Sequence, residues 1–498
     1  MSSRQQLYIG GEWVQPSTTD TIEVISPHTE QLIARVPAPG PADVDRAVAA
    51  ARTAFDTGPW PRLDPHERIA MVRQLAQLYT AREEELAQLI TTEMGAPITF
   101  SRSAHARLPG FMMRAFTDIA ADYPWQETRP GFLGSDIIVS REPLGVVAAI
   151  IPWNMPMFLT IGKLIPALLA GCTIVLKPSP ETALDAYLMA DLLEQVGLPP
   201  GVVSVLPGGR DTGQHLVSHP GVDKVSFTGS TAAGRQVAEV CGAALRKVSL
   251  ELGGKSAAVV LDDADPEDVA SGMVVAGLMN SGQACVAQTR VLLPRHRYHE
   301  FVDALASTVE NLTVGDPFDP ETQIGPMVSQ RQQQRVRGYI ERGHREGARL
   351  LVGGAELPKG LDRGWYVQPT LFADVDNSMC IAQEEIFGPV LSVIPYTDDD
   401  AAVRIADDSE YGLSASVWTS DTARGSAIAR RIRSGTVGIN QAYSMDPVAP
   451  FGGVKNSGIG REFGKEGLEG YLDSKSISVR PAVPISGAHN DTIQGTDS

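Results

Sequence analysis

The chain is poor in the residues that mark secreted and metal-binding proteins. Its 498 residues include four cysteines, Cys172, Cys241, Cys285 and Cys380, with no C-x-x-C pair. That excludes a dense disulfide framework and points to a reducing, cytoplasmic setting. The nine histidines are scattered. His296 and His299 form the one pair at helical spacing, and Arg295 and Arg297 beside them would repel a cation, so no metal site is expected. Cationic residues are outnumbered, 42 to 59, for a net charge of -17, and they form no cluster able to neutralise a phosphate backbone. A nucleic-acid partner is therefore not expected. Long apolar runs are missing as well. The most apolar stretch is broken by Lys163, Pro166 and Gly171, short of the ~18 residues a span requires. The opening M-S-S-R-Q-Q-L-Y-I-G-G-E-W has no signal-peptide core. No membrane partner is expected.

A length of 498 residues exceeds the ~250–300 at which one core stops growing, so at least two domains are expected. A hydrophobic content of 43% with 48 glycines fits a globular α/β protein rather than a disordered or fibrous one. Helical spacing of apolar residues predicts helices over residues 41–54 and 64–92. Residues 129–141, with D-I-I-V-S between Gly134 and Pro143, read as part of a hairpin in an inserted arm. From Val146 the pattern becomes strand, helix, strand: V-V-A-A-I-I, a helix over 157–169, then C-T-I-V-L-K. It continues through G-V-V-S-V-L-P and V-D-K-V-S-F to a glycine turn and a helix near Ala232, which is doubly wound α/β syntax. A second α/β run starts near Ser256 with strands A-A-V-V-L, L-S-V-I-P-Y, S-A-S-V-W and T-V-G-I-N. Residues 474–479 alternate like an edge strand. The tail from 485, rich in Gly, Ser, Thr and Asp, is expected to be disordered.

Three segments carry residues suited to chemistry. In N-S-G-Q-A-C-V-A-Q-T-R, Cys285 follows a small-residue turn and is expected at an exposed helix start, either as a nucleophile or as an inert buried thiol. In L-E-L-G-G-K-S, Glu251 ends an apolar strand before two glycines. Poor solvation there disfavours ionisation and moves a carboxyl towards the range of a general base, with a salt-bridged structural role as the alternative. In I-I-P-W-N-M-P, Asn154 offers an amide suited to an oxyanion hole, or simply caps a helix. If it projects from that helix, Phe158 and Gly162 at i+4 and i+8 share its face. With Met155 and Tyr443 they would line an apolar tunnel.

Together P-W-N-x-P, L-E-L-G-G-K-S, G-Q-x-C, E-E-I-F-G-P and P-F-G-G-x-K-x-S-G, in that order over residues 7–481, resemble the aldehyde dehydrogenase superfamily. The resemblance implies an NAD(P)-dependent enzyme that oxidises an aldehyde to its acid, and with an apolar tunnel the expected substrates are aliphatic, terpenoid or aromatic aldehydes. Cys285 would attack, Asn154 and the Cys285 N–H would hold the oxyanion, and Glu251 would activate the water that opens the thioester. It implies cofactor contacts from Lys177, Glu385, Phe387, Ile151, Trp153, Gly208, Leu252 and Gly253. In S-F-T-G-S-T-A-A-G-R, Gly229, Ser230 and Gly234 form a variant pyrophosphate turn. It implies a dinucleotide-binding domain of residues 1–124 and 144–255, a catalytic domain of 256–465, a small β oligomerisation arm of 125–143 and 466–484, and a homodimer or homotetramer. In K-P-S-P-E, Pro180 stands where NAD-preferring relatives often carry Glu. NAD is therefore expected with NADP tolerated, Lys177 lacking a neighbouring anion. Two rivals are a CoA-acylating semialdehyde dehydrogenase, which typically lacks the general-base glutamate, and a non-catalytic protein reusing the scaffold.

Overall fold

The computed structural model describes residues 5–442 and 445–480; the tail from 485 lies outside them. Two open sheets dominate. The first has five parallel strands in the spatial order Lys247–Glu251, Lys224–Thr228, Val146–Ile150, Thr173–Lys177 and Val203–Val205. The three central strands of this set are buried throughout, which explains why they read as unbroken apolar runs rather than as alternating ones. Chain order runs outward in both directions from Val146–Ile150, so the connection direction reverses between that strand and Lys224–Thr228. A crevice opens beyond the carboxyl ends of the strands at such a reversal.

The second sheet, in the order Arg349–Val352, Thr370–Ala373, Val390–Tyr396, Arg290–Pro294, Ala257–Val260, Ser414–Trp418, Thr436–Ile439, is parallel except at its first pair. L-E-L-G-G-K-S joins the sheets, since the strand Lys247–Glu251 ends within it and Ala257–Val260 follows it. Gly458–Ile459 then returns to pair antiparallel with Leu250 and Glu251 of the first sheet, so the chain crosses back before residue 465. The arm is a three-stranded antiparallel sheet of Gln126–Pro130, Asp136–Pro143 and Leu472–Val479, the last at its edge.

One expected helix is two. Residues 64–92 divide into Pro65–Thr80 and Glu83–Met94. Arg82 leaves the helical region at φ -116°, ψ 10°, and Glu83, Glu84 and Glu85 occupy the first turn of the second helix. Three carboxylates favour a new helix N-terminus there, where the macrodipole is positive, over the middle of a continuous helix. Apolar spacing alone does not reveal that break.

Candidate active site

The strand Val146–Ile150 delivers Asn154 to the crevice. The helix that follows is Pro156–Ala170 with Met155 at its N-cap, so Asn154 lies outside the helix and is not its cap. Its Nδ2 donates to the Gln283 carbonyl at 3.1 Å. An amide NH₂ has two hydrogens, and one remains for a ligand. Because Asn154 precedes the helix, the expected i+4 and i+8 face does not apply. Phe158 is buried, with its ring 5.2 Å from that of Phe463 between centroids. A Cβ at Gly162 would come 2.7 Å from Phe463 Cε1, so this glycine makes room for an aromatic ring of the protein rather than for an aldehyde. Met155 is buried as well, and Tyr443 lies outside the described residues.

Cys285 sits in a turn between the short 3-10 segment Met279–Gly282 and the strand Arg290–Pro294. The expected helix start is absent because two left-handed residues, Asn280 and Ser281, turn the chain towards a strand. The thiol is partly accessible and, with Asn154, lines a cavity of about 470 Å³. Burial pushes it up to about 12, and the Glu385 and Glu251 carboxylates add to the effect. The resting cleft therefore holds a protonated thiol, and attack requires its proton to be handed on.

Glu251 is 3% exposed, and neither carboxylate oxygen has a hydrogen-bond partner. Burial raises its pKa well above the usual carboxylate range. Glu462 pushes it further up, while Lys163 and Arg461 oppose. Lys163 is ion-paired to Glu462, so the positive charge nearest Glu251 is already engaged. Oε1 faces Gly452, where an added Cβ would lie 2.8 Å away. The structural alternative for Glu251, a satisfied salt bridge, is thus not what the geometry presents.

The residues expected to hold the cofactor gather, all but Gly234, along two cavities that share Trp153 and Ser230. Trp153, Gly229, Ser230, Leu252, Gly253, Glu385 and Phe387 line the first with Cys285. Ile151, Trp153, Lys177, Gly208 and Ser230 line the second, of about 760 Å³. Ser230 caps the helix Thr231–Ala243, its side chain accepting from Ala233 N, so a helix N-terminus faces the junction of the cavities and suits a pyrophosphate. Gly234 lines neither. A Cβ there would strike Leu252 at 2.4 Å, so Gly234 lets the helix lie close to Leu252. Glu385 accepts from Gly254 N at 3.1 Å, and burial raises its pKa. Phe387 packs edge-on against Trp153, centroids 5.4 Å apart, which tests the core-packing alternative: the ring faces a cavity residue, not a closed core. Lys177 is buried, donates to the carbonyls of Pro178 and Gly208, and is lowered by burial to about 8.

One expectation about this groove is corrected. Glu181 lines the same cavity as Lys177 and acts electrostatically on it. The short helical turn Pro180–Thr182 brings the displaced carboxylate back to the groove, so Lys177 does have a neighbouring anion.

Sequence reasoning missed a whole wall. Arg331, Gln332 and Arg335 line the first cavity from the helix Gln330–Arg345. Gln332 Nε2 donates to the Phe387 carbonyl at 2.8 Å and Arg335 to that of Glu385 at 2.6 Å. The signal was weak, because R-Q-Q-Q-R-V-R reads as a solvated helix face.

A family model described as aldehyde dehydrogenase family matches residues 13–477. The geranial dehydrogenase of Castellaniella defragrans is 48% identical over 473 residues, 95% of this chain and 98% of that protein. An aldehyde dehydrogenase of Mycobacterium tuberculosis, solved in complex with NAD+, superposes with a TM-score of 0.94 at 51% identity, covering 97% of this chain and 99% of that one. A mutant of aldehyde dehydrogenase C from Pseudomonas syringae, solved with NAD+ and octanal, gives 0.92 at 42% identity, over 95% and 96% of the two chains.

Proposed function

Because the chain belongs to the aldehyde dehydrogenase family and is an NAD-dependent oxidoreductase acting on aldehydes, we propose that it oxidises apolar aldehydes to free carboxylic acids through a thioester on Cys285. The observation that carries this reading is that two of the three groups open on one crevice while the third, Glu251, lies buried outside its lining and acts on the thiol electrostatically. Cys285 and Asn154 open on one cavity and are joined through Gln283, while Glu251, its oxygens unpaired, acts electrostatically on the thiol.

The Cys285 sulfur forms a bond to the aldehyde carbon as its proton leaves to water. The carbonyl oxygen becomes an oxyanion held by the second Asn154 hydrogen and the Cys285 N–H. Bound NAD supplies the hydride acceptor. The acyl group then remains on Cys285 as a thioester. Glu251, made more basic by burial, takes a proton from the water that opens it, releasing the acid and restoring the thiol. Lys177 and Glu181 bind the adenosine ribose and Glu385 the nicotinamide ribose. The helix N-terminus at Ser230 faces the pyrophosphate.

The apolar substrate follows from what backs Cys285. The residue packs against the largest apolar cluster, with Met155, Ala284, Val286, Phe451 and Phe463 among its members. Burying a second carboxylate there would leave a charge unpaired. The relatives named for geranial and solved with octanal support the same class. An exposed edge strand supports a homodimer or homotetramer: Leu472–Val479 lies at the edge of the arm sheet and is exposed beyond Leu472. No helix among the described residues is long and apolar enough to cross a membrane, and four unbridged cysteines fit a cytoplasmic location. The test is NADH release from aldehydes of graded length, with and without CoA. Turnover with octanal that needs no CoA supports the proposal. A strict CoA requirement would mean an acylating enzyme, and no NADH from any aldehyde would mean a non-catalytic protein.

A further inference from the structure

The residue that holds the oxyanion donors together is neither of the donors. Asn280 and the following Ser281 are non-glycine residues in the left-handed region, at φ 52° and 57°. Such backbone persists where the surroundings over-determine it, and it clusters at functional sites. Ser281 is fixed by accepting from Gly325 N at 2.9 Å. Asn280 is 3% exposed, and its Nδ2 donates to the Asn154 carbonyl at 2.8 Å and to the Gln283 carbonyl at 3.3 Å. The Gln283 carbonyl is also the acceptor for Asn154 Nδ2 at 3.1 Å. Gln283 returns two bonds to the Asn280 carbonyl, from its backbone N at 3.0 Å and from Nε2 at 3.3 Å. Its own Oε1 accepts from Val328 N at 3.0 Å. One NH₂ group thus ties the backbone of Asn154, just beyond a strand of the first sheet, to the turn that carries Cys285, which lies in the chain between two strands of the second.

The chemistry requires an amide here and fixes its direction. Both neighbours of Nδ2 are carbonyl oxygens, so a flipped amide or a carboxylate would set oxygen against oxygen. The Asn280 Oδ1 and the ring nitrogens of fully buried His105 meet no partner in ordinary hydrogen-bond geometry, yet His105 lies close enough to Asn280 to be influenced by its amide. His105 lies in the π-helical segment Ser101–Arg107, a distortion of the kind found at functional sites, and packs edge-on against Phe100. Burial lowers it to about 4, so near neutral pH it is an uncharged ring beside the amide oxygen.

Building on the catalytic roles given above for Asn154 and Cys285, we propose that Asn280 is a positioning residue that clamps the two oxyanion donors into one rigid unit, with His105 behind it orienting its amide. Loss of the clamp lets Asn154 and the Cys285 turn move independently. A displacement on the order of 1 Å at a reacting centre costs about 10²-fold in rate, while the far part of the nucleotide groove, lined by Lys177, Glu181 and Gly208, is untouched.

The test is rapid-mixing measurement of the first NADH formed per active site with octanal, together with NAD affinity by fluorescence and the melting temperature. Asn280→Gly suits it, because glycine accepts the left-handed backbone and only the amide is lost. The expected result is a first-turnover rate lowered about 10- to 100-fold, with NAD affinity within about twofold and a smaller change in the KM for aldehyde. Asn280→Asp, the same shape with the wrong charge, should lose at least as much. His105→Phe should lose less, in the same step. A parent-like first-turnover rate in either Asn280 variant overturns the proposal. So does a parallel fall in NAD affinity and rate, which marks general loosening of the cleft. If Asn280→Gly does not fold, Asn280→Asp and His105→Phe decide by the same readouts. If the parent itself gives no NADH with octanal, the catalytic reading has failed instead, which separates the two failures.

Discussion

At the end of the cleft proposed for the adenosine, the buried Lys177 ammonium is met by the carbonyls of Pro178 and Gly208, and Ser179 is bonded to Glu181. At the reacting end both Glu251 oxygens lack partners, and Asn280, Ser281 and Phe387 hold left-handed backbone. Buried polar groups in folded proteins are ordinarily hydrogen-bonded, and exceptions call for a reason. One end has settled its polar groups and waits only to bind. The other keeps a carboxyl desolvated and a backbone strained, conditions a reaction uses and binding does not require.

The sharpest way to break that contrast is to remove the nucleophile. Cys285→Ala should lower turnover by more than about 10³-fold while NAD affinity stays within about twofold, since the adenosine end loses nothing. Turnover rates and a fluorescence titration check it, and comparable losses in both would erase the distinction between the ends. A moderate effect is expected at the adenosine end. Glu181→Gln removes the anion beside Lys177 and should relax the preference for NAD over NADP by about 1–2 kcal/mol, read as kcat/KM for each cofactor. An unchanged ratio would assign selectivity to another group. The smallest effect is on stability. Because the folded pKa of Glu251 is raised, protonation stabilises the fold below the unfolded value of about 4.3, and that contribution is lost as pH rises through the folded pKa. Glu251→Gln, which cannot ionise, should therefore melt higher than the parent, by a margin that widens as pH rises above the unfolded value of about 4.3 and levels off once the folded pKa is passed. A constant margin would mean that Glu251 is not desolvated in solution.

What could be read from the sequence was whatever each local segment fixes by itself. Strands buried on both faces read as apolar runs, and Glu251 before two glycines, Cys285 after a small-residue turn and Asn154 beyond a strand each lie within a few residues of the feature that exposes them. What could not be read depends on distant partners. Gly162 looked like space for a substrate because Phe463, which fills that space, comes from the far end of the chain. The helical face through Phe158 failed because the helix starts after Asn154, at Pro156. Gln332 and Arg335 looked like solvated surface until the carbonyls of Phe387 and Glu385 met them. Glu181 seemed displaced because residue spacing ignores the 3-10 turn that returns it to the groove. Asn280 stood inside a motif segment, yet its role depends on Asn154 and Gln283 converging in space.

The division of labour between Cys285 and Glu251 is tested most directly by mixing Glu251→Gln with NAD and octanal on a millisecond timescale and counting NADH. On the proposed mechanism thioester formation needs Cys285 and the oxyanion donors, whereas only its hydrolysis needs Glu251. The account predicts a burst of about one NADH per active site, followed by a steady rate lower than the parent's by roughly 10²–10⁴-fold. A steady rate equal to the parent's, or loss of the burst itself with NAD still bound, would contradict it.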